Sequence, residues 1–220
     1  MINWYDADGH LSENMVADFR QTLLTWYDES GRTHLPWRID KEPYHIWVSE
    51  IMLQQTQVET VIPYYERFLA ELPRVQDLAE ADEEVLLKLW SGLGYYSRIR
   101  NMQKAAQQVM VDFDGQFPTT SQDLQILAGI GPYTAAAIAS ISFNEVVPAL
   151  DGNMFRVFAR LLKIKADIAQ PKSRKIFYDI ILPIVDPERP GDFNQAVMDL
   201  GTSLMSVKSE TLSDSPFARF

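Results

Sequence analysis

Cysteine is absent from all 220 residues, which excludes disulfides, thiolate metal sites and a cysteine nucleophile. Histidine is scarce: His10, His34 and His45 show no ligand spacing, so no metal site is expected. Long apolar runs are missing as well. No stretch of eighteen uncharged apolar residues occurs, so no segment reads as a membrane-spanning helix. Asp6 and Asp8 stand where a secretory signal would carry positive charge, and the chain reads as cytoplasmic, in the bacterial cytoplasm or nucleoid. Positive charge is in deficit: 20 Lys and Arg face 30 Asp and Glu, for a net charge of −10. That sum opposes a phosphate-binding protein, because such binding is driven by cations releasing counterions. Distribution matters more. Acid concentrates in Asp77 to Glu84 and Asp186 to Asp192, whereas Arg98, Arg100 and Lys104, and later Lys163, Lys165, Lys172, Arg174 and Lys175, form groups that could make a local basic face.

What is present is a 46% apolar chain, long enough for one large domain or two small ones. Apolar residues recur at spacings of three and four, as in Val16, Phe19, Leu23 and Trp26, and again in Met102, Ala105, Val109 and Phe113. Period-two alternation is nearly absent. Pro43, Pro132 and Pro190 are placed to open helices and Gly115 to follow one. The expected fold is all-α, roughly ten helices in two lobes with a central cleft. One six-helix lobe is expected over residues 31–143, and a second from residues 1–30 with 144–220.

The sharpest local feature is Leu127-Ala-Gly-Ile-Gly-Pro-Tyr-Thr134, between a short helical run expected at Ser121 to Leu127 and an Ala-rich one at Pro132 to Ser142. Gly129 and Gly131 permit a tight turn with uncovered N–H groups, and Pro132 starts a helix whose positive end points the same way. Such a turn, Gly129-Ile130-Gly131, can hold a DNA phosphate through the main chain, with a cation bound beside it, without reading sequence. A glycine pair by itself fits a plain interhelical turn as well. The phase of Leu124, Leu127 and Ile130 favours a helix-hairpin-helix over residues 121–142.

Two carboxylates flank this feature. Glu50 lies in a helical run with Ile46, Trp47, Ile51 and Leu53; such glutamates usually point to water, but one facing a dry cleft would stay protonated as a general acid. Asp151 follows the apolar run Val146 to Leu150 and stands where an ordinary turn or helix-capping aspartate would. Breaking an N-glycosidic bond needs a proton for the departing base and a negative charge near the sugar as it becomes cationic, which such a pair can supply.

Leu35-Pro-Trp-Arg38, Trp47 to Gln57, Gly92-Leu-Gly-Tyr-Tyr96, the hairpin, Leu150-Asp-Gly-Asn153 and Phe193-Asn-Gln-Ala196 occur in that order. Together they resemble the motifs of the adenine DNA glycosylases of the endonuclease III, helix-hairpin-helix superfamily, from about Leu35 to Gly201. The resemblance implies a base-excision enzyme that extrudes adenine mispaired with 8-oxoguanine or guanine from double-stranded DNA and hydrolyses its glycosidic bond. It assigns Glu50 to protonating N7 of adenine, Asp151 to stabilising or transiently bonding the sugar cation, and Asn153 to positioning Asp151. By the same resemblance Leu53 and Gln55 probe or fill the duplex beside the extruded base, Thr56 and Tyr95 contact the opposite strand or the intercalation site, and Trp37, Arg38 and Gln195 line the adenine pocket. Trp37 and Tyr95 could equally be core aromatics, and Gln54, Gln55 and Gln57 an exposed polar face. Tyr133 stands where strand-cleaving relatives carry a Schiff-base lysine; a phenol cannot form that imine, so a monofunctional enzyme is implied, with the hydroxyl expected near Asp151.

The chain departs from the pattern of the family it resembles. Typical members hold a [4Fe-4S] cluster on C-x6-C-x2-C-x5-C, whereas alignment on Asp199-Leu-Gly201 puts Met205, Leu212 and Ser215 at the first three ligand positions and the fourth just past Phe220. No cluster or other cofactor is expected, and Leu204, Leu212 and Phe217 should hold this polar, poorly periodic C-terminal segment by packing. The chain ends before the 8-oxoguanine-recognition domain such enzymes carry, and reads as a monomeric catalytic part of a longer protein. Two other readings stand beside this one: a thymine or uracil mismatch glycosylase of the same fold, and a non-catalytic helix-hairpin-helix DNA-binding module.

Overall fold

A locked φ and a missing N–H suit proline to the first turn of a helix, and Pro43, Pro132 and Pro190 each begin one, as does Pro171. The computed structural model describes residues 4–6, 8–167, 170–206 and 215–220. The helices are α1 Glu13–Ser30, α2 Pro43–Met52, α3 Val58–Glu71, α4 Val75–Glu80, α5 Glu83–Trp90, α6 Ser97–Asp112, α7 Ser121–Leu124, α8 Pro132–Phe143, α9 Gly152–Leu161, α10 Pro171–Ile181 and α11 Pro190–Thr202, with 3-10 turns at Pro36–Arg38 and Leu182–Ile184. Among the described residues there is no strand, only an isolated antiparallel bridge between Tyr5 and Leu11. The chain is all-α. The helix expected to reach Leu127 stops at Leu124, because the next amides bond three residues back, Ile126 N–H to Asp123 and Leu127 N–H to Leu124, tightening the chain into turns.

The chain divides into two compact units, His34–Glu145 and Met1–Thr33 with Val146–Phe220. In the first, α2 and α8 pack together. Every residue of α8 from Thr134 to Ile141 is buried, and of α2 all from Ile46 to Met52. A helix that is apolar on all sides belongs inside, and the alanines of α8 let backbones approach closely. Trp47 meets Phe117 edge-on at 5.6 Å, and Phe68 meets Trp90 at 6.3 Å. Each fully buried side chain of this size contributes about 1.5–3 kcal/mol. Asn144, left-handed at φ 56°, ends α8, a conformation asparagine tolerates better than most residues.

In the other unit the apolar stripe of α1 is filled by Val16, Phe19 and Leu23, packed on α9, α10 and α11. Phe19 makes edge-on contacts with Trp4, Phe158, Phe193, Phe217 and Phe220 at 5.3–6.4 Å. Such pairs add about 0.5–1.5 kcal/mol beyond their area. Asp199 in α11 is buried against Arg32, whose Nε donates to Oδ1 at 2.8 Å and whose main-chain N–H donates to Oδ2 at 2.9 Å. No sequence spacing links these two residues.

Candidate active site

Glu50 sits in the last turn of α2, among side chains that are all buried from Ile46 to Met52, and it is 8% exposed. The expected dry setting therefore arises from α2 being an inner helix. Tyr133, in the first turn of α8, donates from Oη to Glu50 Oε2 at 2.8 Å. That hydroxyl is thus directed at the Glu50 carboxyl. Packing of α2 on α8 brings the carboxyl and the phenol together, and no sequence spacing announces a pair 83 positions apart.

Asp151 is the residue before α9 and caps it: Oδ1 accepts the Met154 N–H at 2.7 Å. An ordinary capping role is correct as geometry, yet the second oxygen has another partner. Oδ2 accepts from Asn153 Nδ2 at 2.7 Å, while Asn153 Oδ1 accepts from Arg156 Nη2 at 2.5 Å. Because Arg156 can only donate, it fixes which end of the Asn153 amide faces Asp151. Burial raises the Asp151 carboxyl above the ordinary carboxylate range, opposed by the bonds from Met154 and Asn153 and by the Arg156 charge. The extended segment leading in is pinned by Asn194, whose Oδ1 accepts from Ala149 N–H at 3.1 Å and whose Nδ2 donates to Val147 O at 2.9 Å. Asn194, not its neighbour Gln195, holds this approach, and the motif around it gives no sign of that task. Gln195 is buried in α11, its Nε2 3.5 Å from Gly191 O.

At the hairpin, Gly129 has φ 76°, and a Cβ there would lie 2.8 Å from Asn101 Cβ, so the position demands glycine twice over. Gly129 and Gly131 are exposed and their N–H groups make no hydrogen bond among the described residues. Ile130 differs from the expectation: it is buried and its N–H donates to Leu127 O at 3.2 Å, so it anchors the turn instead of offering a donor. Gln108 of α6 supports the turn from behind, accepting the Ala128 N–H at 2.8 Å.

The remaining expected contact residues fall in distinct settings. Leu53 closes α2 and is half-buried; Gln55 is exposed at φ 60°; Thr56 Oγ1 donates to Gln54 O at 3.3 Å; Tyr95 is 65% exposed at φ 48°. Trp37 is buried, edge-on to Tyr65 at 5.5 Å, and the adjoining Arg38 is half-buried. Of the cations that could make a local basic face, Arg98 turns inward to main-chain carbonyls and Arg100 pairs with Glu83 at 2.8 Å.

The cluster positions do not fit a cluster. Met205 is 1% exposed and belongs to the apolar core, with its carbonyl accepting from Arg156 and Arg160 at 3.1 Å. Ser215 Oγ accepts from Phe217 N–H at 3.2 Å, and Leu212 lies outside the described residues. Phe217 is fully buried, with Trp26 edge-on at 5.7 Å, and Leu204 is partly buried. Among the described residues no three His, Cys, Asp or Glu gather as a metal site, and no helix is long and apolar enough to cross a membrane.

The chain is similar to adenine DNA glycosylases of Rattus norvegicus, 46% identical over 91% of this chain and 40% of that protein, and of Buchnera aphidicola subsp. Acyrthosiphon pisum, 42% identical over 86% of this chain and 55% of that protein. It spans about two fifths of the length of the mammalian relatives. Its fold matches the solved structures of a thermostable thymine-DNA glycosylase, TM-score 0.79 at 24% identity over 89% of each chain, and of endonuclease III in a non-covalent DNA complex, TM-score 0.76 at 17% identity over 94% of each. Residues 48–182, which include Glu50, the hairpin, Tyr133, Asp151 and Asn153, match the family described as HhH-GPD superfamily base excision DNA repair protein, and the chain belongs to that family.

Proposed function

We propose that this chain is the catalytic part of a monofunctional adenine DNA glycosylase, acting on adenine opposite 8-oxoguanine or guanine in double-stranded DNA. The observation that carries the reading is the Tyr133 to Glu50 bond. It joins a buried acid to the residue two positions beyond Gly131, so the element offering amides to a phosphate also fixes the proton donor. The relatives named above, all adenine DNA glycosylases, support adenine as the base. The thymine-DNA glycosylase likeness speaks to fold alone.

In this reading Gly129 and Gly131 donate to a backbone phosphate, with main-chain carbonyls of the same turn available to a cation. The adenine leaves the stack, since its glycosidic bond is covered in the duplex. Tyr133 donates to Glu50 Oε2 and so orients the carboxyl that carries the transferable proton. That proton passes to adenine N7 as the C1′–N9 bond breaks with its electron pair leaving on the base. The Asp151 carboxylate then faces the sugar cation, either as a counter-charge or by bonding C1′, with its direction set by Met154 N–H and Asn153. Water adds to C1′, its proton returns to Glu50, and free adenine and an abasic site remain. Leu53, Gln55, Thr56 and Tyr95 engage the duplex, and Trp37, Arg38 and Gln195 are the residues assigned to the adenine. The protein works as a monomer, in the compartment that holds the DNA.

The test is incubation with duplexes carrying A, T or U opposite 8-oxoguanine or guanine, followed by alkali. Breaks only at adenine are expected. Breaks at T or U would replace the reading with the mismatch-pyrimidine alternative, and binding without any break would leave a non-catalytic module.

A further inference from the structure

Arg98, at the second position of α6, looks in the sequence like one of three surface cations. Its guanidinium is instead a junction. Nη1 donates to Ile51 O at 2.8 Å and Gln54 O at 2.7 Å, and Nη2 donates to Leu93 O at 3.0 Å and Gly94 O at 3.3 Å. The first two carbonyls belong to the end of α2 and the turn after it; the other two belong to the turn before α6. The group also lies 5.3 Å from the Trp90 ring and 5.6 Å from the Tyr95 ring, within cation–π reach. Only a planar fork with several N–H groups and a flat face meets all six partners; a lysine ammonium has one nitrogen and cannot bridge them.

The two turns share a second property. Each presents one exposed side chain from a left-handed backbone, Gln55 at φ 60° and Tyr95 at φ 48°. Residues other than glycine leave that region unless their surroundings over-determine it. The peptide carbonyls that aim these residues are those of Gln54 and Gly94, immediately before each tip, and both are held by Arg98. Tyr64 braces the second turn independently, donating from Oη to Ser91 O at 3.0 Å.

We propose that Arg98 is a positioning residue that locks the Leu53–Gln57 and Gly92–Tyr96 turns into one rigid, two-tipped wedge, so that Gln55 and Tyr95 engage the duplex together when the target base is opened. This rests on the glycosylase reading. A wedge serves to part paired, stacked bases, so its loss falls on adenine that must be unpaired, and less on adenine with no partner to leave.

The experiment compares wild type with Arg98→Lys in single-turnover adenine release from two duplexes, one with adenine opposite guanine and one with adenine opposite an abasic nucleotide. Release from the paired duplex is expected to fall about tenfold or more, and at least about fivefold further than from the unpaired one. Amide hydrogen exchange is expected to quicken in residues 53–57 and 92–97 together. Equal losses on both duplexes, no loss on either, or faster exchange in one turn alone overturn the proposal. Should Arg98→Lys fail to fold, Arg98→Gln, which keeps one planar donor group but reaches fewer of the carbonyls, takes its place with the same selectivity expected at about two- to fivefold; equal loss on the two duplexes overturns the proposal again. Wild type that releases adenine from neither duplex overturns the glycosylase reading, and the wedge with it, whereas with an active wild type the outcome bears on Arg98 alone.

Discussion

Glu50 and Asp151 are both carboxyls drawn away from water, and the two units surround them in opposite ways. Glu50 stands in the last turn of α2, where aligned carbonyls disfavour added negative charge, among apolar neighbours and with one phenol donor from Tyr133. Asp151 stands at the start of α9, where uncovered N–H groups favour negative charge, with Met154 N–H, the Asn153 amide and, through it, the Arg156 cation directed toward its oxygens. Helix direction adds to that contrast, opposing negative charge at Glu50 and favouring it at Asp151, where it works against the burial that raises the carboxyl. In the proposed mechanism the same carboxyl chemistry takes two roles, and position along a helix is one of the differences that support the division.

The largest expected effects test that separation directly. Glu50→Gln should lower adenine release about 10²–10⁴-fold while leaving DNA affinity within a few-fold, because it removes the proton and keeps the shape. Asp151→Asn should lower release about 10²–10³-fold by removing the counter-charge. In wild type, release should fall on the acid side as pH drops through the raised Asp151 pKa, since protonation there discharges the anion. Single-turnover assays decide this. Appreciable turnover by either variant would dissolve the division of labour.

Phe217→Ala sharpens the comparison by striking one unit alone. The ring is fully buried against Phe19 and Trp26, and truncation should cost about 3–5 kcal/mol of stability, read as a lowered Tm. Met205, whose carbonyl holds Arg156 beneath Asn153, lies in the same core, so the Asp151 side should suffer first. Iron analysis should return none and folding should proceed without iron, because the sequence supplies no thiolate. A loss below about 1 kcal/mol would show that packing does not hold this segment.

A smaller effect is expected of Tyr133→Phe, about tenfold slower release, the worth of one hydrogen bond to an acid. Wild type should cut DNA only after alkali or heat and give no covalent complex with borohydride, since a phenol forms no imine. Trapping of wild type would contradict the role given to Tyr133.

These residues also show where sequence is informative. Periodicity marks the stripe of α1 and the core face of α6, and proline marks three helix starts, because both signals are local. The hairpin glycines announce themselves through a backbone need that only glycine meets at Gly129. What stays hidden are bonds between positions far apart. Arg98 to Ile51, Gln108 to Ala128, Asn194 to Ala149 and Tyr133 to Glu50 depend on which helices pack together, and a polar side chain with one distant partner carries no spacing signature. Arg98 reads as surface charge, because an arginine that satisfies carbonyls has the same letter as one that meets water.

The smallest expected effect concerns stability against pH, and it separates the two carboxyls without any DNA. Burial holds the folded pKa of Asp151 above its unfolded value, despite the donors around it. Between those two values the folded protein keeps a proton that the unfolded chain has lost, so this residue's contribution is present at acid pH and is lost as pH rises through the folded pKa. Asparagine neither gains nor loses that proton, and it caps a helix about as well as aspartate. Melting wild type and Asp151→Asn across the acid to neutral range should therefore show wild type losing ground to the variant as pH rises through the raised Asp151 pKa, then a plateau. The shift should be smaller than the Phe217→Ala loss, because the Met154, Asn153 and Arg156 interactions offset part of the burial. If wild type instead gains on the variant as pH rises, those interactions outweigh burial, Asp151 is an anion already stabilised in the folded state, and the contrast with Glu50 is sharper than helix position and burial together imply.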